Sequence, residues 1–517
     1  MLMFKPHPEE RRTVRPAGEA PVYDLLVIGG GVNGAGIAND AAGRGLSVLL
    51  CEQHDLASHT SSASSKLVHG GLRYLEHYEF RLVREALGER EVLLQKAPHI
   101  IWPLRFVLPH RPHLRPRWML RAGLFLYDHL GKRTTLPGST GAPLNGQGPL
   151  NPQIDYAFEY SDCWADDARL VVLNAVQAAS LGADIRTYTR CESARRKGDL
   201  WQIELLSDHG TAETVHARAL VNAAGPWAAR VMERVVDTRS PYGVRLVQGS
   251  HIVVPQLYHG RQAYILQNED ERIVFVLPYE NDYSLIGTTD VDYQGDPAQV
   301  EPTEAEVDYL LQVVNAHFKR QLKHEDIRHR FSGVRPLISD ASESDPSAVS
   351  RDYSLTLEGD TGQAPLLAVY GGKLTTFRTL AEAAVDKLKP WFPDAHPSWT
   401  ASHALAGGDF ESQAQLSAEL KTEYPWLTEQ QLERFVRCYG TLSQVFLRGM
   451  RSQQDMGEQF GAGLTEREIK YLREREWARD MQAILWRRTK LGLHLNAAQQ
   501  ARLADYLQAL AGEILAV

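Results

Sequence analysis

At 517 residues with 43% hydrophobic side chains, the chain has room for about two to four domains and a large core, so size excludes little. A formal charge of −8 argues against a general nucleic-acid binder, whose affinity would come from neutralising phosphates, and makes any basic site a local one. Four scattered cysteines, Cys51, Cys163, Cys191 and Cys438, fit neither a disulfide framework nor a zinc site, which predicts a reducing, cytosolic compartment and no metal. The opening "MLMFKPHPEERRTVRPAGEAP" has no apolar h-region, and no run of about 18 apolar residues follows. The sequence therefore predicts neither export nor a membrane span, and leaves a membrane surface open.

The first elements lie in "YDLLVIGGGVNGAGIANDAAGRGLSVLLCEQ". Tyr23 to Ile28 is a short apolar run suited to a buried parallel strand, Gly34 to Arg44 is small and helical, and Leu46 to Cys51 is apolar again, giving a βαβ unit. Gly29, Gly31 and Gly34 form GxGxxG at the strand-to-helix turn. The first allows the tight turn, the second lets a pyrophosphate approach the backbone, and the third lets helix and strand pack closely. Glu52 closes the second strand 18 residues after Gly34, placed to accept from ribose hydroxyls and to repel a 2′-phosphate. By itself this unit leaves NAD and FAD both open.

Ser58 to Gly71 is then a loop of small side chains that can come close to a ligand, and Lys66, His69, Gly70, Gly71, Arg73 and Tyr74 crowd its end. Residues 105–133 hold seven Lys or Arg and one Asp, with Trp118, Met119, Phe125 and Tyr127 interleaved. Such a segment is too short and charged to span a bilayer and suits anionic headgroups. In "YSDCWADDARL", Asp162, Asp166 and Asp167 read as caps before an apolar helix rather than metal ligands. "ALVNAAGPW" ends an apolar strand in Ala224, Gly225, Pro226 and Trp227, and "ERIVFVLPYENDYSLIGTTD" alternates and turns as an antiparallel hairpin. His324 and His329 in "HEDIRH" are one residue too far apart for HExxH and read as surface histidines. "LLAVYGGKLTT" ends a strand in Gly371 and Gly372 but fails as a phosphate loop, because Leu367 stands where a glycine is needed and Leu374 follows Lys373. No GxSxG occurs. Beyond Pro390, "EREWARDMQAILWRRTKLGL" and "AARLADYLQALAGEILAV" read as amphipathic helices.

Three strand ends that stop in small residues, hundreds of positions apart, suit a long ligand lying over the carboxyl edge of one parallel sheet, and FAD has that length. The expected architecture is α/β. A discontinuous Rossmann-like flavin domain takes residues 22–100, 150–240 and 330–390, an antiparallel substrate domain 241–330, a membrane-facing segment 101–149, and a helical domain 391–517.

In this order, "SSASSKLVHGGLRYLEH", "PHRPHLRP", "YDHLGKRT", "FEYSDCW", "VNAAGPW", "GSHIVVP", "YILQNED", "IGTTD", "SGVRPL" and "GGKLTTFRTLAE" closely resemble the FAD-dependent respiratory glycerol-3-phosphate dehydrogenases of bacteria. The resemblance covers roughly residues 22–517. Its broader relatives, the D-amino-acid oxidase and glycine oxidase flavoproteins, share the glycine fingerprint but not the arginine-bearing motifs. The resemblance implies oxidation of sn-glycerol 3-phosphate to dihydroxyacetone phosphate. It further implies electrons passing through noncovalent FAD to ubiquinone or menaquinone, and a homodimer on the cytoplasmic face of the membrane. Oxidases that use oxygen belong to the same family. A flavin-binding sensor without turnover and a tRNA-modifying flavoprotein are readings from other classes, the second disfavoured by the acidic charge.

A phosphate monoester carries about −1.5 to −2 charges at pH 7, so two or more cations should converge on it. Arg335 in "SGVRPL" and Arg351 in "VSRDYS" are the first candidates, then Arg73 with Tyr74. His251 matches a family active-site histidine suited to take the hydroxyl proton. Lys373 would place positive charge near the flavin or reach the substrate. For the cofactor, the resemblance implies Ser64, Ser65 and Lys66 along its length and His69, Gly70 and Gly71 close to the flavin. Ala224, Gly225, Gly371, Gly372, Leu374 and Thr375 then lie at the other two strand ends.

Overall fold

The computed structural model describes residues 20–111, 113–131, 133–339, 352–360 and 362–515. The βαβ unit forms as the sequence predicts: β1 (Val22–Ile28), α1 (Val32–Gly43) and β2 (Val48–Cys51). β1 lies between β2 and Ala212–Asn222, and Leu366–Tyr370 pairs with the far side of the latter, all parallel. The three small-residue strand ends therefore share one carboxyl edge. α1 is made of small residues because it is buried nearly all round. A Cβ on Gly36 would come within 2.9 Å of the Phe377 ring, on the helix Phe377–Leu388 that packs against it.

A second, mixed sheet faces that edge. Its long pair is Gly243–Pro255 with His329–Ser339, antiparallel, with His251 opposite Phe331 and Val247 opposite Arg335. The expected hairpin is present as Ile273–Tyr279 and Tyr283–Gly287. Glu280 and Asn281 take left-handed conformations at its turn. This sheet reaches further than the expected substrate domain. Ile101–Pro109 and Tyr156–Ala165 pair with each other and join it through Ala263–Gln267, and His329–Ser339 belongs to it as well. Alternation alone did not reveal these strands as members of a distant sheet, because register across a long separation is set by packing.

The carboxyl-terminal region is helical from Gln413, with helices Glu429–Tyr439, Glu466–Glu476 and Ala497–Leu515. The single amphipathic helix expected from "EREWARDMQAILWRRTKLGL" is instead broken. It stops at Trp477, which is left-handed, and resumes as a π-helical turn, Ala483–Arg488. One apolar core runs from β1 and α1 through Leu170 and Phe377 into Leu432, Phe446 and Leu472, so helical and flavin layers are continuous. Among the described residues no helix is long and apolar enough to cross a membrane.

Candidate active site

At the end of β1, Gly29 has φ +112 and its missing Cβ would sit 2.6 Å from Ala223 O. A Cβ on Gly34 would stand 1.9 Å from Gly29 O, so these two glycines serve the turn itself. Gly31 differs: its φ is ordinary, and a Cβ would meet only Ser61 Oγ, at 3.1 Å. The space above Gly31 is open at the amino terminus of α1, where a pyrophosphate would need it. Glu52 accepts from Gly30 N at 2.7 Å and His54 N at 2.8 Å. Each carboxylate oxygen keeps acceptor capacity for a hydroxyl. Burial raises the Glu52 pKa above the usual carboxylate value, against the pull of these N–H groups.

The loop Thr60–Gly71 is anchored from below by buried acids. Asp167 accepts from the Ser64 hydroxyl at 2.7 Å and from Lys66 Nζ at 2.7 Å, with Lys66 only 3% exposed. Lys66 is thus a strut under the loop, its side chain turned to Asp167 and away from any ligand-lining position expected for it. Asp162 accepts from Tyr127 OH at 2.8 Å and Arg90 at 2.7 Å, and Gly70 N donates to Tyr127 OH at 2.9 Å. The acids that read as caps therefore divide. Asp166 does cap its helix, accepting from Arg169 N, while Asp162 and Asp167 hold the loop. Tyr127, expected to dip into a membrane, is buried in this network. His69 and Thr375 face each other through backbone-to-hydroxyl bonds of 3.3 and 3.4 Å, which joins the loop to the strand end at Gly371 and Gly372. Burial lowers the His69 pKa.

Where these edges meet, a cleft of about 680 Å³ is lined by His69, Arg73, Tyr74, Arg272, Phe275 and Arg335, among others. It continues past Tyr74 and Arg335 into a second lobe of about 600 Å³ that reaches Gly371, Gly372 and Lys373. Lys373 Nζ lies 4.1 Å from the centre of the Tyr74 ring. Arg335 donates to Thr289 O at 2.9 Å and faces Asp290. Arg351 falls outside the described residues. Arg272 is a cation that motif reading missed. It stacks on Tyr309 at 3.8 Å and pairs with Asp270, and only the fold brings it to the cleft.

His251 is not one of the residues lining the cleft. It is 2% exposed, stacked on Phe331 with centroids 4.9 Å apart and covered on another side by the Gly287 backbone, where a Cβ would touch the ring at 2.1 Å. Its Nε2 lies 3.0 Å from Ser65 Oγ, and Nδ1 has no hydrogen-bond partner among the described residues. Burial, with the charges of Lys66 and Arg335, lowers its pKa to about 3, so the imidazole is neutral at physiological pH. His329, expected on the surface, stacks on Trp486 at 3.8 Å, whereas His324 is exposed as expected.

Comparison with known proteins sets this geometry in a family. A family model described as FAD dependent oxidoreductase matches residues 24–378, and one for the C-terminal domain of alpha-glycerophosphate oxidase matches residues 398–515. The chain belongs to the FAD dependent oxidoreductase family. It is 60% identical to a Pseudomonas aeruginosa protein named glycerol-3-phosphate dehydrogenase, over 95% of this chain and 96% of that one. It is 56% identical to the aerobic glycerol-3-phosphate dehydrogenase of Escherichia coli, over 94% and 97%. The structure of a Bacillus halodurans glycerol-3-phosphate dehydrogenase complexed with FAD matches at TM-score 0.72 and 26% identity, covering 94% of each chain. FAD is therefore the cofactor of this oxidoreductase, and the residues present fit it. Open space over Gly31, the acceptor oxygens of Glu52 and the shared carboxyl edge of the parallel strands are compatible with it. Among the described residues, no cluster of His, Cys, Asp and Glu could hold a metal ion.

Proposed function

We propose that the chain oxidises sn-glycerol 3-phosphate to dihydroxyacetone phosphate and passes the electrons to ubiquinone or menaquinone. The observation that carries this reading is the convergence of Arg73, Arg335 and Lys373 around Tyr74 in a cleft running out from the Gly371–Gly372 strand end. One cation would leave a phosphate monoester net negative; several meet its charge and fix one end of a small substrate. Arg351, from its motif, is a further phosphate contact in this reading.

Bound FAD supplies the two-electron acceptor for the C2 hydride. Gly29, Gly31, Gly34 and Glu52 hold its dinucleotide end in this reading. The backbone of Ser64 to Lys66, with His69, Gly70, Gly71, Ala224, Gly225, Gly371, Gly372, Leu374 and Thr375, lines the rest. Lys373 holds positive charge beside Gly372, where reduction builds negative charge. The hydroxyl proton goes to neutral His251 by way of the Ser65 hydroxyl, which already meets Nε2.

A membrane face is supported by exposure. Tyr78, Phe80, Trp118, Phe125 and Leu126 are five of the eight large apolar side chains exposed among the described residues, and their two segments pack on each other. Arg115, Arg117 and Arg121 lie beside them, which suits an anionic leaflet. Residues 101–109 take no part, being a sheet strand. The resemblance along the whole chain supports a homodimer at the cytoplasmic side.

The test is anaerobic addition of sn-glycerol 3-phosphate to the purified holoprotein, which should bleach the flavin band, with recovery on adding a soluble quinone analogue. Glycerol alone should leave it unchanged. A band that persists would leave a flavin-binding protein without this activity. Equally fast recovery with oxygen and stoichiometric peroxide would make it an oxidase.

A further inference from the structure

The carboxyl-terminal domain has no part in the chemistry above, yet one of its turns packs on Asp55 and on the strand that carries Arg335. Ala483–Arg488 is a π-helical turn, a rare geometry that is frequent at functional sites. Arg487 and Arg488 donate to Asp55, at 2.6 Å to Oδ2 and 2.8 Å to Oδ1; Asp55 is 1% exposed and three residues past Glu52. Trp486, beside them, stacks on His329 with planes 16° apart.

From His329 the contact propagates along one strand face. Side chains 329, 331, 333 and 335 alternate onto the same side of His329–Ser339. Phe331 has its centroid 6.0 Å from His329 and is stacked on His251, with planes 12° apart. Gly333 lies against Ala63 of the flavin loop, and Arg335 reaches the cleft. Lys66 Nζ sits 5.4 Å from the Phe331 centroid, so the same ring also touches the strut of that loop. His251 Nε2 makes one hydrogen bond, with Ser65 Oγ, and its buried Nδ1 has no partner among the described residues. One bond leaves an imidazole able to turn about Cβ–Cγ. The stacked face of Phe331 and the Gly287 backbone fix its plane.

We propose that Trp486 is a positioning residue for His251: through His329 and Phe331, the π-turn of the helical domain sets the plane of the imidazole that receives the substrate proton. The proposal rests on the base role of His251 given above. Trp486→Leu keeps apolar bulk and loses the ring face; Trp486→Phe keeps a ring. In the FAD-loaded enzyme at saturating sn-glycerol 3-phosphate, rapid-mixing flavin reduction should slow about five- to twentyfold in Trp486→Leu. Its substrate dissociation constant and FAD content should stay within about twofold of parent, and Trp486→Phe should recover most of the rate. In the His251→Ala background Trp486→Leu should cause no further loss, because the stack acts only through the imidazole.

A parental rate in Trp486→Leu, equal losses in both variants, or the same loss on top of a slow His251→Ala would overturn the proposal alone. A parental rate in His251→Ala would remove the base reading and this proposal with it.

Discussion

The two glycines Gly31 and Gly34, three residues apart, should fail in different ways. Gly34→Ala puts a methyl 1.9 Å from Gly29 O and should cost the fold of the βα turn, read as loss of soluble protein or a collapsed thermal midpoint. Gly31→Val keeps extended backbone and meets only Ser61 Oγ, so the chain should fold while FAD no longer binds. Full flavin content in folded Gly31→Val would show that the pyrophosphate does not cross that point. At the other end of the ligand, Arg335→Ala removes a charge present before and during reaction. Substrate affinity should fall by about 2 to 5 kcal/mol, tens to thousands fold. His251→Ala should instead slow flavin reduction by about 10² to 10⁴ fold with less effect on binding, since a base acts mainly in the transition state. Ser65→Ala should reproduce part of that loss, and a parental rate there would remove the hydroxyl from the proton path. Because burial keeps His251 neutral, reduction rates across pH 6 to 9 should show no step from its titration.

The elements that motif reading found are those in which a local rule and the global fold agree. Gly29 and Gly34 announce themselves because the strand-to-helix turn leaves no room for a Cβ at either, and the hairpin over Ile273–Gly287 follows from alternation and a turn. Other features were not legible, each for a physical reason. Asp162 and Asp167 looked like caps because their partners, Tyr127 and Lys66, are 35 and 101 positions away. Arg272 carries no motif and reaches the cleft only through its hairpin. The basic stretch 105–133 mixed two roles that composition cannot separate. Phe106 and Leu108 are core residues of a strand, whereas the helix Arg117–Leu130 buries Leu124 and Tyr127 and exposes Trp118, Phe125 and Leu126. That division sharpens a test at this scale. Arg115→Glu, Arg117→Glu and Arg121→Glu together, or Trp118→Ser with Phe125→Ser, should weaken sedimentation with vesicles containing anionic lipid while turnover with a soluble acceptor persists. Unchanged sedimentation of both variants would move the membrane face elsewhere.

Across the whole molecule, the helical domain is held by a shared core and by buried ion pairs, among them Arg169 with Glu476 and Lys490 with Asp166 at 2.6 Å. Flavin and helical layers should therefore unfold together, and acid should be their common weakness. His99 and His251 have pKa values lowered to about 3, and His317 to about 4, with burial the first cause in each. All three are at most 2% exposed. In the unfolded chain they would titrate near 6.5. Between those values the unfolded state binds more protons than the folded one, so stability is complete above about pH 6.5 and lost as pH falls. Each group costs about 1.4 kcal/mol per pH unit across its window. Asp40 works in the opposite sense: burial raises its carboxyl to about 6, against the pull of Arg44, so the folded state takes up a proton first and recovers part of the loss between about pH 6 and 4. His59 and His329, both lowered to about 4 by burial, add to the loss, so the histidines outweigh Asp40 and the folded state weakens as pH falls below about 6. With FAD in constant excess, the thermal midpoint should be level from pH 7 to 8 and fall steeply below pH 6, with near-ultraviolet dichroism from both layers lost in one transition. A midpoint unchanged down to pH 5 would show that these imidazoles are not carried neutral. Two separated transitions would show that the helical domain is not part of the same cooperative unit.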